Sequence, residues 1–108
     1  MMPDQAEQVT YTAPLWRWSG GGNASWFFVT IGGEAADAIA GTALMRRLES
    51  SGSRGFGSVK VTAEVGGSRW QTSIFPQKGE GYLLPMKAVI RKAEGLSEGD
   101  VVSVTLTF

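Results

Sequence analysis

Lys60, Ser73, Tyr82 and Lys87 are the residues whose types and spacing could build a polar site in this chain. A lysine beside a serine offers two chemistries. As a cation and a hydroxyl, the pair binds an anion; with the lysine desolvated, it becomes a Ser–Lys nucleophile pair. Lys87 falls in the first turn of an expected helix, where the dipole disfavours positive charge, so a cation there is suited to meet an anion. Arg54 and Arg91 extend the cationic ring, and Trp70 and Phe75 add aromatic surface. Trp16, Trp18, Trp26 and Trp70 could wall a cleft for a planar ligand, although at least two of them are expected in core or barrel-closing roles. Tryptophan also seeks a partner for its indole N–H. Against all of this stands the ordinary fate of a lysine, which is to sit in water on a Ser/Thr-rich sheet face.

Composition removes several chemistries. The chain has no cysteine and no histidine. Disulfide scaffolding and thiol catalysis are therefore excluded, and the commonest metal ligand and general base are missing. No metal site and no cofactor are expected; an Asp-rich calcium loop is not present either. Ten basic and ten acidic residues give a formal charge of zero, which disfavours a nucleic-acid partner. No apolar run reaches the length of a membrane span, and the polar, acidic start is unlike a secretory signal, so the cytoplasm is the default location.

Two motifs imitate known sites. Arg54-Gly55-Phe56-Gly57-Ser58-Val59-Lys60-Val61 nearly spells an RNA-recognition signature, but the fifth and eighth positions, where bases would stack, hold Ser58 and Val61. Ser19-Gly20-Gly21-Gly22-Asn23 resembles a phosphate-cradling loop, yet it leads into a strand rather than a helix. A kinked strand entry and a connecting turn are the simpler expectations.

The elements that must position these residues read as follows. Residues 1–8 form a leader expected to be disordered, and 9–108 a single domain. From Val9 to Trp18 the residues alternate, with Val9, Tyr11, Ala13 and Leu15 on one face and Thr10, Thr12, Trp16 and Trp18 on the other; Pro14 marks an edge or bulge. Ser25 to Ile31 is the returning strand. Glu34 to Ser50 spaces Ala36, Ile39, Ala40, Ala43, Leu44 and Leu48 along one helical face. Phe56–Val65 and Ser68–Phe75 flank Gly66-Gly67, a two-residue hairpin signal. Such a turn fixes the register: Ala63 faces Trp70, Val61 faces Thr72 and Val59 faces Ile74 on an apolar side. Glu64 faces Arg69, Thr62 faces Gln71 and Lys60 faces Ser73 on a polar side, which Phe75 shares. Tyr82-Leu83-Leu84 is a short strand. Pro85 suits the start of a helix to Glu94 with Met86, Val89, Ile90 and Ala93 inward, and Gly95 suits its end. Val101 to Phe108 closes the chain as a strand with Val102, Val104, Leu106 and Phe108 inward. Six strands and two helices predict a mostly β fold, a small barrel.

Trp16-Arg17-Trp18, Arg54 to Val61, Trp70-Gln71-Thr72-Ser73-Ile74-Phe75-Pro76, and Gly81-Tyr82-Leu83-Leu84-Pro85-Met86-Lys87 with Arg91-Lys92-Ala93 resemble a bacterial domain-of-unknown-function family. Its members occur alone or joined to a YdeI-type, OmpD-associated domain. The resemblance spans about residues 9–108 and implies a small double-split β-barrel, with no activity to carry over. A weaker likeness covers Leu84-Pro85, Val89 to Leu96 and Glu98-Gly99-Asp100-Val101-Val102, which are similar to AbrB-type transcription factors. That likeness implies strand, short helix, Gly-Asp turn and strand, in proteins that bind DNA as intertwined dimers.

The leading expectation is a non-enzymatic ligand-binding or accessory module, its cleft walled by aromatics and ringed by Arg54, Lys60, Tyr82, Lys87 and Arg91. Its occupant is expected to be a small anionic or planar molecule. The alternatives are an AbrB-like dimeric DNA-binding protein and an enzyme using Ser73 with Lys60 or Lys87.

Overall fold

A computed structural model describes residues 7–21, 24–49, 57–77 and 81–108. The elements run β1 (Gln8–Gly21), β2 (Ala24–Ile31), α1 (Gly33–Glu49), β3 (Val59–Val65), β4 (Ser68–Pro76), β5 (Tyr82–Pro85), α2 (Ala88–Glu94) and β6 (Val101–Thr107). The six strands form a closed antiparallel barrel in the order β1-β2-β5-β4-β3-β6. The expected mostly β barrel with two helices is the observed architecture.

β1 serves two ladders in turn. Gln8 to Pro14 pair with Thr107 to Val101 of β6, and from Leu15 onward the strand pairs with β2. Pro14, which has no N–H to give, sits at the hand-over between them. Gln8 already belongs to the wall, and Glu7 and Phe108 exchange two backbone hydrogen bonds of 2.9 Å. β1 also continues through Gly21, so the strand is longer than the glycine run suggests; a bulge between Trp18 and Gly21 absorbs the irregularity, and Gly22 and Asn23 lie outside the described residues.

The diglycine hairpin forms in the register that its turn dictates. All seven pairs from Val65–Ser68 to Val59–Ile74 are present. Gly66 has φ of 58° while Gly67 does not enter positive φ, the pattern of a type II′ turn. Val59, Val61, Ala63 and Val65 are buried, and the polar side carries a Glu64–Arg69 ion pair at 3.4 Å.

The inward faces of the strands fill the barrel. Leu15, Val29, Ile31, Ile74, Leu84, Val102, Val104 and Leu106 are nearly or wholly inaccessible to water. The four residues expected inward on β6 are all buried, because period-2 alternation leaves them no other side.

The helices depart from expectation in two ways. The first part of α1 docks, through Ala35, Ala36 and Ile39, with Ala38 and Ala43 half-buried against the core as well; Ala40 and Leu44 are exposed and Leu48 is 70% exposed. A 17-residue helix is about 25 Å long, and the barrel partners only its start. Pro85 does not open α2. It ends β5, paired with Phe28, and the helix starts at Ala88 after Lys87 in an extended N-cap conformation. The later start changes which residues face inward: Met86 and Ile90 are buried, while Val89 and Ala93 are exposed. Gly95 ends the helix as expected. Its φ is 65°, its N–H donates to the Lys92 carbonyl and the Leu96 N–H to the Arg91 carbonyl, a Schellman motif.

Candidate functional site

Two of the depressions formed by the described residues lie on the outer wall and use complementary sets of strands. The first is an aromatic shelf on β1, β2 and β5. Trp18 stands opposite Trp26 and Trp16 opposite Phe28 across the β1–β2 ladder, and Leu83 of β5 completes a hollow of about 350 Å³. These side chains face out because Leu15, Val29 and Leu84, their neighbours in the alternation, face in. The Trp16 and Phe28 rings lie 5.3 Å apart, tilted by 38°, a favourable aromatic contact. The Trp16 indole N–H donates to Thr30 Oγ1 at 2.8 Å, which satisfies it and fixes the ring. Trp18 and Trp26 are 46% and 54% exposed. Exposed tryptophans, gathered on one surface, are the kind of apolar patch that marks a contact site.

The second depression lies on β4, β3 and β6, has a volume of about 420 Å³ and is mostly polar. Lys60, Thr62, Gln71, Ser73 and Thr107 surround it, with Val61 and Thr72. Lys60 stands opposite Ser73, Thr62 opposite Gln71, and Thr62 also opposite Thr107. Lys60 is exposed and Ser73 half-buried, so the desolvated lysine that a Ser–Lys nucleophile requires is not formed.

Of the eight residues singled out from the sequence, the seven among the described residues do not share one cleft. Lys60 and Ser73 are adjacent, as the register requires. Phe75 is exposed, opposite Leu83 and next to the shelf. Trp70 lies on the inward side, half-buried against the core, with a buried indole nitrogen that has no hydrogen-bond partner among the described residues. Tyr82 is buried among the core residues. Its strand is four residues long, too short for alternation to reveal its phase, which pairing with β2 decides. Lys87 is exposed at the start of α2. Arg91 is half-buried: its guanidinium lies 3.8 Å from the centre of the Phe27 ring and its Nε donates to the Met86 carbonyl at 3.1 Å. Arg54, with Gly55 and Phe56 of the RNA-signature motif, lies outside the described residues. Of the two diagnostic positions, Ser58 is exposed and Val61 faces the core, so neither offers a stacking ring. Sequence reading raised the tryptophans as a group but missed Phe28 and Leu83. The hairpin register had put Trp70 on the apolar side, where the structure has it, and alternation in Trp16-Arg17-Trp18 had put the other two on one face.

Among the described residues, no three His, Cys, Asp or Glu side chains gather to hold a metal ion, and no helix is long and apolar enough to cross a membrane. The barrel closes within one chain, so the wall needs no strand exchanged with a second copy, unlike the intertwined AbrB-type dimers.

No curated protein matches the chain. A family model described as Domain of unknown function (DUF1905) matches residues 11–106. That match begins within β1 and ends within β6, taking in the aromatic shelf and all of the polar depression but Thr107, so the chain belongs to the DUF1905 family.

Proposed function

We propose that the domain is a non-enzymatic binding module that holds a small planar ligand against the outer aromatic shelf. The observation that carries this reading is the exposure of Trp18 and Trp26 beside the fixed Trp16–Phe28 pair. The interior side chains already fill the barrel axis, which directs the search for a ligand to the outside. Stacking on an aromatic surface is worth about 1–3 kcal/mol per ring by alanine substitution.

Naphthalene-2-sulfonate, planar and anionic, is a suitable probe, read by quenching of tryptophan fluorescence. Saturable binding is expected, weakened by about 5- to 100-fold in Trp18→Ala and Trp26→Ala with the far-UV circular dichroism unchanged. Linear, non-saturating quenching would reject the reading. So would sedimentation showing that the wild type is a dimer and that Trp18→Ala makes it a monomer, since the shelf would then be a subunit contact.

A further inference from the structure

The polar depression has features that the shelf reading leaves unused. Its side chains form a small array across three strands: Thr107 on β6, Thr62 and Lys60 on β3, Gln71 and Ser73 on β4. Each can donate a hydrogen bond, and Lys60 carries the only charge among the lining residues. Among the described residues no carboxylate lines the hollow. Glu64, two positions from Thr62 on the same side of β3, is already held by Arg69 at 3.4 Å. Among the described residues no ion pair involves Lys60, and the one side-chain hydrogen bond made by any member of the array runs from Gln8 Nε2 to Thr107 Oγ1, at 3.3 Å. A concavity with a single uncompensated cation, hydroxyl and amide donors and no acid is electrostatically complementary to an anion. Its volume falls within the range of small-molecule sites.

We infer that this groove binds a small tetrahedral oxyanion, a phosphate group, with Lys60 as the charge and Ser73, Thr62, Gln71 and Thr107 as donors to its oxygens. The site is separate from the aromatic shelf, with which it shares no strand. Lysine acts here as a point charge, and the neutral donors give the site its directionality.

The test is a titration of the uniformly ¹⁵N-labelled full chain with inorganic phosphate, followed by amide chemical shifts and matched against sodium chloride at equal ionic strength. Saturable shifts centred on Lys60, Thr62, Ser73 and Thr107 are expected. Lys60→Met should weaken binding about tenfold or more, Ser73→Ala should weaken it by less, and Lys92→Met, a change at an exposed lysine of α2, should leave it unchanged. Glycerol 1-phosphate titrated in parallel separates the two sources of the group: tighter binding assigns a phosphate monoester, equal binding the free ion. Shifts that match those in chloride, or an affinity indifferent to Lys60→Met, would overturn the assignment. Trp26→Ala should leave the phosphate titration unaltered, so failure at the shelf and failure at the groove are distinguishable.

Discussion

Ser68 and Glu94 are joined by a 2.5 Å hydrogen bond from the serine hydroxyl to the carboxylate, and the Gly67 N–H donates to the same carboxylate at 3.4 Å. Through this one side chain the last turn of α2 is tied to the diglycine bend of β3–β4, 26 residues away in sequence. Replacing Glu94 by Ala should cost about 1–2 kcal/mol. Ser68→Ala should cost no more than that, and the double variant less than the sum of the two, because the residues share a partner. Urea denaturation of the four proteins checks this.

The two glycines of the bend should respond differently to alanine. Gly66 adopts positive φ, and a Cβ there would collide with Glu94 Oε1; a Cβ at Gly67 meets nothing within 4 Å. Gly66→Ala is expected to destabilise by about 1–3 kcal/mol from backbone strain, on top of displacing the Glu94 carboxylate. Gly67→Ala should change stability by less than about 1 kcal/mol. Equal effects at the two positions, measured by thermal melts, would contradict the type II′ geometry.

Trp70 buries an indole nitrogen that lacks a partner among the described residues. Phenylalanine keeps much of the ring and removes the unsatisfied donor, so Trp70→Phe should lie within about 1 kcal/mol of wild type. Trp70→Ala should cost about 2–4 kcal/mol, at or below the range for fully buried rings because Trp70 is only half-buried. A Trp70→Phe variant as unstable as Trp70→Ala would mean that the indole N–H is satisfied in solution.

Burial along α1 is uneven, and leucine truncations should show it. Leu106, wholly buried in β6, should cost about 2–5 kcal/mol when cut to alanine. Leu48, exposed near the end of α1, should cost less than about 0.5 kcal/mol. A large loss at Leu48 would show that the second half of α1 is covered in solution.

What the sequence made legible follows the range over which each signal acts. The β3–β4 register was readable because a two-residue turn leaves one way to count, and β6 was readable because its alternation is unbroken from Val102 to Phe108. Pro85 misled because two rules compete for it: proline favours a first helical turn, but it also fits the last position of a strand, and pairing with Phe28 decided the matter. Helical spacing in α1 located an apolar stripe without saying how far its partner reaches. The imagined cleft divided for the same reason. Lys60 and Ser73 are neighbours through a local turn, whereas the position of Tyr82 depends on the ladder that joins β5 to β2. That ladder also brings Leu83 beside the Trp16–Phe28 pair, a juxtaposition that no local pattern encodes.

Pairing of β1 with β6 joins residues nearly a full chain length apart: Gln8 lies opposite Thr107 and Thr10 opposite Thr105. A ribosome must therefore deliver almost the entire sequence before this seam can form. Until then β1 presents one raw edge to the cell while its other edge is already engaged by β2. Contacts of such long range slow folding and prolong the exposure of sticky strands. The nascent chain should thus be most prone to aggregation in the interval before β6 emerges, and Pro14, by interrupting the donor row midway along the waiting strand, shortens the stretch on which a stray partner could zip.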